Sequence, residues 1–198
     1  MNKKAIVLLA DGFEDVEAVT PIDYLRRAGI EVTTVSISEN QTVTSKWGGI
    51  KIIADTTIAQ IAKHTNAKHE NAKHEDANQW DAVVCPGGMP GASNLASSRE
   101  TGELLKKMNA DGKLICAICA SPVIVLSPLG LIDGKNFTCY PGMEEKAPQG
   151  KWLQENVVID ANIITSRAAG TTGEFAIAII EKLLDKETAK KIAGAVLL

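Results

Sequence analysis

Short, uninterrupted apolar runs alternate along this chain with longer segments of helical periodicity. The clearest apolar runs are Lys4–Leu9, 81–85 and 113–118, and the clearest helical segments are 15–28 and 172–184. Strands that are apolar on both faces occur in parallel sheets covered by helices. The alternation therefore predicts an α/β fold with a largely parallel sheet.

The remaining predicted elements are shorter. Strands are expected at Glu31–Ser36, 50–53, Val157–Asp160 and 162–165, and helices at 57–62, 100–108 and Lys186–Ala195. A chain of 198 residues is long enough for a sizeable core, so we expect a single domain, 1–198. Sites in such sheets form at the carboxyl ends of strands, which here are the loops after Ala10, Cys85 and Ile118.

Charge and hydropathy exclude several classes of partner. The chain carries 21 Lys and Arg against 24 Asp and Glu, a net charge of −3, which argues against a nucleic-acid surface. The apolar run at 5–10 is too short for a signal peptide and meets acidic residues at once. No run reaches the ~18 apolar residues of a membrane span. We expect a cytoplasmic protein that binds neither nucleic acid nor membrane.

A histidine-containing repeat occupies residues 62–78. The sequence Asn-Ala-Lys-His-Glu recurs there with a five-residue period, and the insert holds every histidine of the chain: His64, His69 and His74. Five-residue steps rotate a helix by about 140°, so the three do not share a face. A metal site and a duplicated, solvated extension both remain open, and we favour the extension with no metal or cofactor. No histidine follows Cys119.

The segment 113–122 runs from an apolar strand into small residues and then a helix-compatible stretch. The turn falls at Cys119, where helix N–H groups would favour a thiolate, so Cys119 is a candidate nucleophile or redox sensor. Cys116 completes a C-x-x-C, which leaves a thioredoxin-like pair as an alternative. Cys116 lies inside the apolar run, however, and we assign it, with Cys85 and Cys139, to packing.

An acidic segment follows the first predicted strand. Pro21 cannot donate to the carbonyl of Glu17, which predicts a distorted helix at Glu17 and makes Glu17 a candidate functional residue. The alternative is that acids of the first turn complement the helix dipole. We prefer that alternative for Glu14 and Asp15, and both interpretations remain open for Glu17.

Other candidates are less specific. The N–H groups of Gly87 and Gly88 suit an oxyanion, or an ordinary turn. Arg27 is a candidate pocket, anion or dimer contact, or a charge that complements the C-terminal end of its helix. Arg167 is a candidate anion contact, or an exposed surface arginine. Trp47 precedes two glycines and is a candidate for closing a pocket from a dimer partner.

Five ordered motifs cover nearly the whole chain. They are GFEDVEA at 12–18, DYLRRAGIEV at 23–32, CPGGMPGA at 85–92, ICAICA at 115–120 and TSRAAGTTGEFA at 165–176. Together they resemble the ThiJ/PfpI superfamily, and within it the branch of the parkinsonism-associated DJ-1 protein and the bacterial YajL-type proteins. The histidine repeat is not part of this pattern.

The resemblance implies a flavodoxin-like fold with a nucleophile elbow, usually as a homodimer. Cys119 matches the family's reactive cysteine, which oxidises readily to a sulfinate, and Glu17 matches the acid that hydrogen-bonds its sulfur in protonated form. The N–H groups of Gly88 and Ala120 match the oxyanion-hole pair. The implied activities are glyoxalase or deglycase action on methylglyoxal and its adducts, and redox-regulated chaperone action in oxidative stress.

One position departs from the peptidase branches of the superfamily. They place a histidine near the cysteine, where this chain has Tyr140. Phenol is a poor base at neutral pH, so a Cys–His dyad cannot be built from this position. This disfavours a cysteine peptidase and an amidotransferase, and Tyr140 remains a candidate pocket contact. Two hypotheses remain: an enzyme acting on small aldehydes, and a redox sensor or chaperone whose cysteine meets an oxidant without turnover.

Overall fold

A seven-stranded sheet forms the centre of the molecule in the computed structural model, which describes residues 2–47, 49–66 and 80–198, with the backbone alone at 63–66. The sheet strands are β1 (Lys4–Leu9), β2 (Glu31–Ser36), β5 (Thr56–Thr57), β6 (Ala82–Cys85), β7 (Leu114–Ile118), β10 (Val157–Asp160) and β11 (Ile163–Ser166). Two short pairs lie outside it: β3 (Thr42–Thr44) with β4 (Lys51–Ile53), antiparallel, and β8 (Asn136–Phe137) with β9 (Lys151–Trp152), parallel.

The order of the strands is that of a doubly wound sheet. Across the sheet they run β10-β11-β7-β6-β1-β2-β5, and all neighbours are parallel except the β10–β11 hairpin. Leaving out the edge strands β5 and β10, the chain order of the rest is 2-1-3-4-5, the flavodoxin-like arrangement. The order reverses between β1 and β6, so a crevice is expected where these two strands end.

Helices cover both faces of the sheet. They are α1 (Asp15–Arg27), α2 (Ile58–Asn66), α3 (Gly91–Ser97), α4 (Arg99–Ala110), α5 (Thr172–Leu183) and α6 (Lys186–Ala195). Alternate residues of β1 feed the two cores: Ile6 and Leu8 pack with α2, α3 and α4, whereas Val7 and Leu9 pack with α1, α5 and α6. The uninterrupted apolar pattern of β1 is thus explained by burial on both faces.

Most predicted elements agree with the structure to within a few residues. Helix α1 is continuous through Pro21. The short elements α3, β3, β5, β8 and β9 were not predicted, and α2 extends to Asn66. Residues 67–78 of the predicted histidine insert at 62–78 lie outside the described residues. The role of the insert therefore stays a prediction. No helix in the described part of the chain is long and apolar enough to cross a bilayer.

Candidate functional site

The cysteine elbow lies at the carboxyl end of β7. Cys119 has a φ of 64°, a left-handed conformation that is rare for a residue with a side chain. Two hydrogen bonds hold its backbone there: its N–H donates to the Ser166 carbonyl at 3.0 Å, and its carbonyl accepts from the Tyr140 N–H at 2.8 Å. Such strain persists only where the surroundings over-determine it. The structure therefore positions Cys119 rigidly.

The segment after the elbow is not the regular helix that the sequence predicts. It forms a π-helical turn, Pro122–Leu126, and then a 3₁₀ turn, Ser127–Leu129. π-helical turns are rare and often lie at functional sites. The buried Ser121 hydroxyl donates to the Pro86 carbonyl at 2.6 Å and so ties the elbow to the loop after β6.

Glu17 is freed from helix capping by Glu14. The Glu14 carboxylate accepts from the Glu17 N–H at 2.8 Å and caps α1. The Glu17 side chain, only 1% exposed, instead turns towards the elbow. Its Oε2 accepts from the Gly87 N–H at 2.9 Å, a second bond comes from the Ala169 N–H, and the carboxyl group is hydrogen-bonded to the Cys119 side chain.

Burial makes Glu17 a group that titrates near neutrality. Loss of solvation raises the pKa of its carboxyl group to about 7, with a smaller contribution from the Glu14 charge. The hydrogen bonds from Cys119, Gly87 and Ala169 act in the opposite direction and are outweighed. The protonated and ionised forms of Glu17 are therefore both accessible at physiological pH.

The thiol itself does not have the lowered pKa that a helix N-terminus alone predicts. Burial, followed by the charge and hydrogen bond of the Glu17 carboxylate, raises the pKa of Cys119 to about 12. The N–H groups of Gly88 and Ala120 hydrogen-bond the sulfur and lower the thiol pKa, as expected. Their effect is smaller than the increase caused by burial and by Glu17. Because part of the increase comes from the Glu17 charge, the thiolate is favoured when Glu17 carries the proton. The two side chains act as one coupled acid pair.

Glycine is required at two positions of the neighbouring loop. A Cβ on Gly87 would lie 2.6 Å from both the Cys119 Cβ and the Glu17 Oε2. Gly88 has a φ of +87°, and a Cβ there would lie 2.6 Å from the Glu14 backbone nitrogen. Only glycine lets this backbone approach the sulfur and the carboxyl group so closely.

A cavity of about 590 Å³ opens above the pair. Its lining includes Tyr140 and Trp47. The sequence suggested that Trp47 would close the pocket of a dimer partner, whereas in the structure Trp47 lines the cavity of its own chain. The two arginines do not line it. Arg27 is about 15 Å along α1 from Glu17 and pairs with Asp23 at 2.8 Å. Arg167 acts on Cys139, where it opposes the burial that raises the thiol pKa to about 12.

The other cysteines are enclosed in the cores. Cys85, Cys116 and Cys139 are each 0% exposed. Burial raises the pKa of Cys85 to about 12 and that of Cys116 well above its ordinary value. The packing assignment of these three thiols therefore agrees with their surroundings. Within the described ranges no cluster of three or more His, Cys, Asp or Glu is arranged to hold a metal ion.

Sequence reasoning missed several groups at the site. Ser121 lies in the segment 113–122 and Ala169 in the motif at 165–176, but nothing in their residue types signals a hydrogen bond across the fold. Lys46, Met89 and Met143 line the cavity from three separate loops. Their convergence follows from the strand order, which sequence patterns did not specify.

A 2-1-3-4-5 parallel sheet with a strained cysteine at a strand end defines a flavodoxin-like protein with a nucleophile elbow. The chain belongs to the DJ-1/PfpI family, whose model matches residues 3–182.

Similar proteins extend over the whole chain. Protein dj-1beta of Drosophila melanogaster is 36% identical over 199 residues, which cover 100% of this chain and 98% of the relative. The glutathione-independent glyoxalase DJR-1.2 of Caenorhabditis elegans is 34% identical over 185 residues, 92% of this chain and 89% of the relative. DJ-1 homolog B of Arabidopsis thaliana is 38% identical over 98% of this chain, but the chain spans only 41% of that relative's length.

Solved structures agree with the fold. The crystal structure of Drosophila DJ-1beta has a TM-score of 0.88 at 36% identity and covers 100% of this chain and 99% of its own. The structure of oxidized DJ-1 from Toxoplasma gondii has a TM-score of 0.86 at 36% identity, with 98% of each chain covered.

Proposed function

We propose that this protein is a cofactor-independent glyoxalase that converts methylglyoxal, or another small 2-oxoaldehyde, into a 2-hydroxy acid. The observation that carries the proposal is the buried Glu17 carboxyl group hydrogen-bonded to a cysteine sulfur that also receives the N–H groups of Gly88 and Ala120. The name of the C. elegans relative supports the same chemistry.

The reaction needs a nucleophile and one group that moves protons. The Cys119 thiolate attacks the aldehyde carbon, so a C–S bond forms and the C=O π bond breaks. The oxygen takes the proton that Glu17 carries, which gives a hemithioacetal and leaves Glu17 ionised. Glu17 removes the hydrogen of that carbon and returns a proton to the adjacent carbonyl carbon, through an enediol. The product is a thioester of the 2-hydroxy acid. Water then cleaves the C–S bond and regenerates the thiol, so the net change is the addition of one water.

The properties of Glu17 suit this role. A proton carrier works best with a pKa near the working pH, and burial raises the pKa of Glu17 to about 7. Groups of this type contribute roughly 10²–10⁴-fold to a rate. The Gly88 and Ala120 N–H groups, which now contact the sulfur, are placed to stabilise negative charge next to it.

Tyr140 limits what else the site does. It stands where a histidine would complete a peptidase dyad, which disfavours a peptidase, and it leaves Glu17 without help from an imidazole. We therefore expect modest turnover. Deglycase action on methylglyoxal adducts would use the same thiol attack and is proposed as an extension of the glyoxalase reaction.

The test is methylglyoxal consumption with the lactate product followed by NMR. Cys119→Ser should abolish product formation, and Glu17→Gln should lower kcat by roughly 10²-fold or more. Cys139→Ala is the matched control, because this buried thiol does not line the cavity, and it should keep the rate of the unmodified chain. Full activity in Cys119→Ser or Glu17→Gln would refute the proposal.

A redox sensor or stress chaperone is the second candidate. It is favoured by the two N–H groups on the Cys119 sulfur, which would also hold a sulfinate, and by the existence of an oxidized DJ-1 structure among the similar proteins. Mild peroxide followed by peptide mass mapping tests it. Oxygen should be added at Cys119 first, and oxidation at Cys85 or Cys116 in its place would refute this candidate.

A cytoplasmic homodimer is proposed with either function. Apolar side chains are exposed on α1 and β4: Val16 and Val19 are 45% and 44% exposed, and Ile53 is 76% exposed. Sedimentation of the unmodified chain and of Val19→Glu tests the proposal. A monomer at micromolar concentration would contradict it.

A further inference from the structure

The cavity is larger than the proposed reaction requires. Methylglyoxal has three carbon atoms, whereas the cavity that Cys119 and Glu17 line has a volume of about 590 Å³. Cavities of this size normally hold ligands of drug-like dimensions. Most of the volume is therefore available to a substituent on the aldehyde, so its lining should determine which substituent binds.

The apolar part of the lining comes from four different segments of the chain. Met89 follows β6, Ile124 lies in the π-helical turn, and Met143 follows the Tyr140 segment. Trp47 completes the wall from the β3–β4 loop with a side chain that is 74% exposed. Flexible thioethers and an aromatic ring adapt to apolar groups of varied shape. A hydrocarbon or aromatic body on the substrate is matched by this surface.

Two ammonium groups lie on the same lining. Lys46 holds its Nζ 4.3 Å from the centre of the Trp47 ring, and Lys146 reaches the cavity from the Met143 side. Neither forms an ion pair with a described residue. Cations held next to an apolar wall bind an anion at the end of an apolar group.

The acids of the lining do not cancel these cations. Glu14 accepts the Glu17 N–H at 2.8 Å and is committed to capping α1. Glu17 is buried beside the sulfur and shares a hydrogen bond with it. Both acids of the lining are thus engaged, at the cap of α1 and at the sulfur, and neither pairs with Lys46 or Lys146.

We propose that the preferred substrates are 2-oxoaldehydes with an apolar body that ends in a carboxylate, bound by Lys46 and Lys146. This inference rests on the proposed glyoxalase function and specifies its substrate class. The aldehyde carbon meets Cys119, the body packs on the methionine and tryptophan wall, and the carboxylate meets the ammonium groups.

A matched pair of substrates tests the inference. Phenylglyoxal and 4-carboxyphenylglyoxal share a ring and a reacting group but differ in terminal charge. At low ionic strength we expect kcat/KM to be about fivefold higher for the carboxylate, through a lower KM, because exposed ion pairs are weak individually. Salt at about 0.5 M should remove the preference.

The variants assign the preference to the lysines. In Lys46→Met with Lys146→Met the kcat/KM ratio of the two substrates should fall to near one. Lys106→Met, an exposed lysine of α4 outside the cavity, should keep the ratio. The inference is overturned if the unmodified chain does not prefer the carboxylate substrate, or if that preference survives in the double variant. In either case turnover of methylglyoxal would leave the glyoxalase proposal standing. Absence of turnover with all three aldehydes overturns the proposed function, and the inference with it.

Discussion

Gly87 lies so close to Cys119 that a Cβ atom on Gly87 would be 2.6 Å from the Cys119 Cβ. The same atom would be 2.6 Å from the Glu17 Oε2, so the missing side chain is what allows the carboxyl group to reach the elbow. Gly87→Ala should therefore separate Glu17 from the sulfur and destabilise the fold by about 1–3 kcal/mol. Urea unfolding measures the stability, and the alkylation rate of Cys119 measures the site.

The matched control is Gly102→Ala. Gly102 lies in α4, and a Cβ there would be 3.4 Å from a Leu129 methyl carbon, close to ordinary contact. Alanine in a helix is favoured over glycine by roughly 0.5–1 kcal/mol, so this change should be neutral or stabilising. If Gly87→Ala and Gly102→Ala lowered the free energy of unfolding equally, the crowding at Gly87 would not be the cause of the destabilisation.

The stability of the protein should depend on pH through Glu17. In the folded chain its pKa is about 7, whereas a glutamate in the unfolded chain titrates near its ordinary value of about 4.3. Between these values the folded state holds the proton more tightly, so the contribution to stability is complete below about pH 4.3 and is lost as the pH rises through 7. The free energy of unfolding, taken relative to Glu17→Gln, should fall by about 2–3 kcal/mol between pH 5 and 8.

Unfolding curves of both proteins across this range provide the measurement. Taking the difference between them cancels groups that titrate alike in each. Glu181→Gln, an exposed carboxyl group on α5, controls for the loss of a surface charge. A difference between the unmodified chain and Glu17→Gln that stays flat with pH would contradict a raised pKa at Glu17.

The central strands and longer helices were predictable because burial leaves a periodic pattern. The bounds predicted for Lys4–Leu9, Glu31–Ser36, Val157–Asp160 and Lys186–Ala195 agree with the structure. The cysteine elbow was also predictable, since the apolar run of β7 ends at a run of small residues. These features depend on local sequence alone.

The parts that were missed depend on contacts between distant segments. The segment after Cys119 is compatible with a helix, but nothing in its sequence specifies that Pro122–Leu126 forms a π-helical turn. The raised pKa of Cys119 comes from burial and from a carboxyl group more than a hundred residues earlier in the chain. Arg27 is a candidate pocket or anion contact in the sequence, yet the length of α1 carries it away from the cavity that Glu17 lines.

Cys116 should take no part in the redox chemistry of Cys119. It is 0% exposed inside β7, whereas Cys119 opens to the cavity. Under mild peroxide the unmodified chain and Cys116→Ala should both gain oxygen at Cys119, as followed by intact mass and peptide mapping. If the unmodified chain instead loses the mass of two hydrogens and Cys116→Ala does not, a disulfide between Cys116 and Cys119 has formed. That result would restore the thioredoxin-like alternative.

Replacing Tyr140 with histidine should activate the thiol. The Tyr140 N–H donates to the Cys119 carbonyl at 2.8 Å, so a side chain at this position starts next to the elbow and points along the cavity lining. An imidazolium close to the sulfur lowers a thiol pKa by about 1–3 units, which raises the thiolate fraction at pH 7 at least about tenfold. The rate of iodoacetamide labelling at Cys119 should rise accordingly in Tyr140→His. Tyr140→Phe controls for the loss of the hydroxyl group, and equal labelling rates in the two variants would show that position 140 does not reach the sulfur.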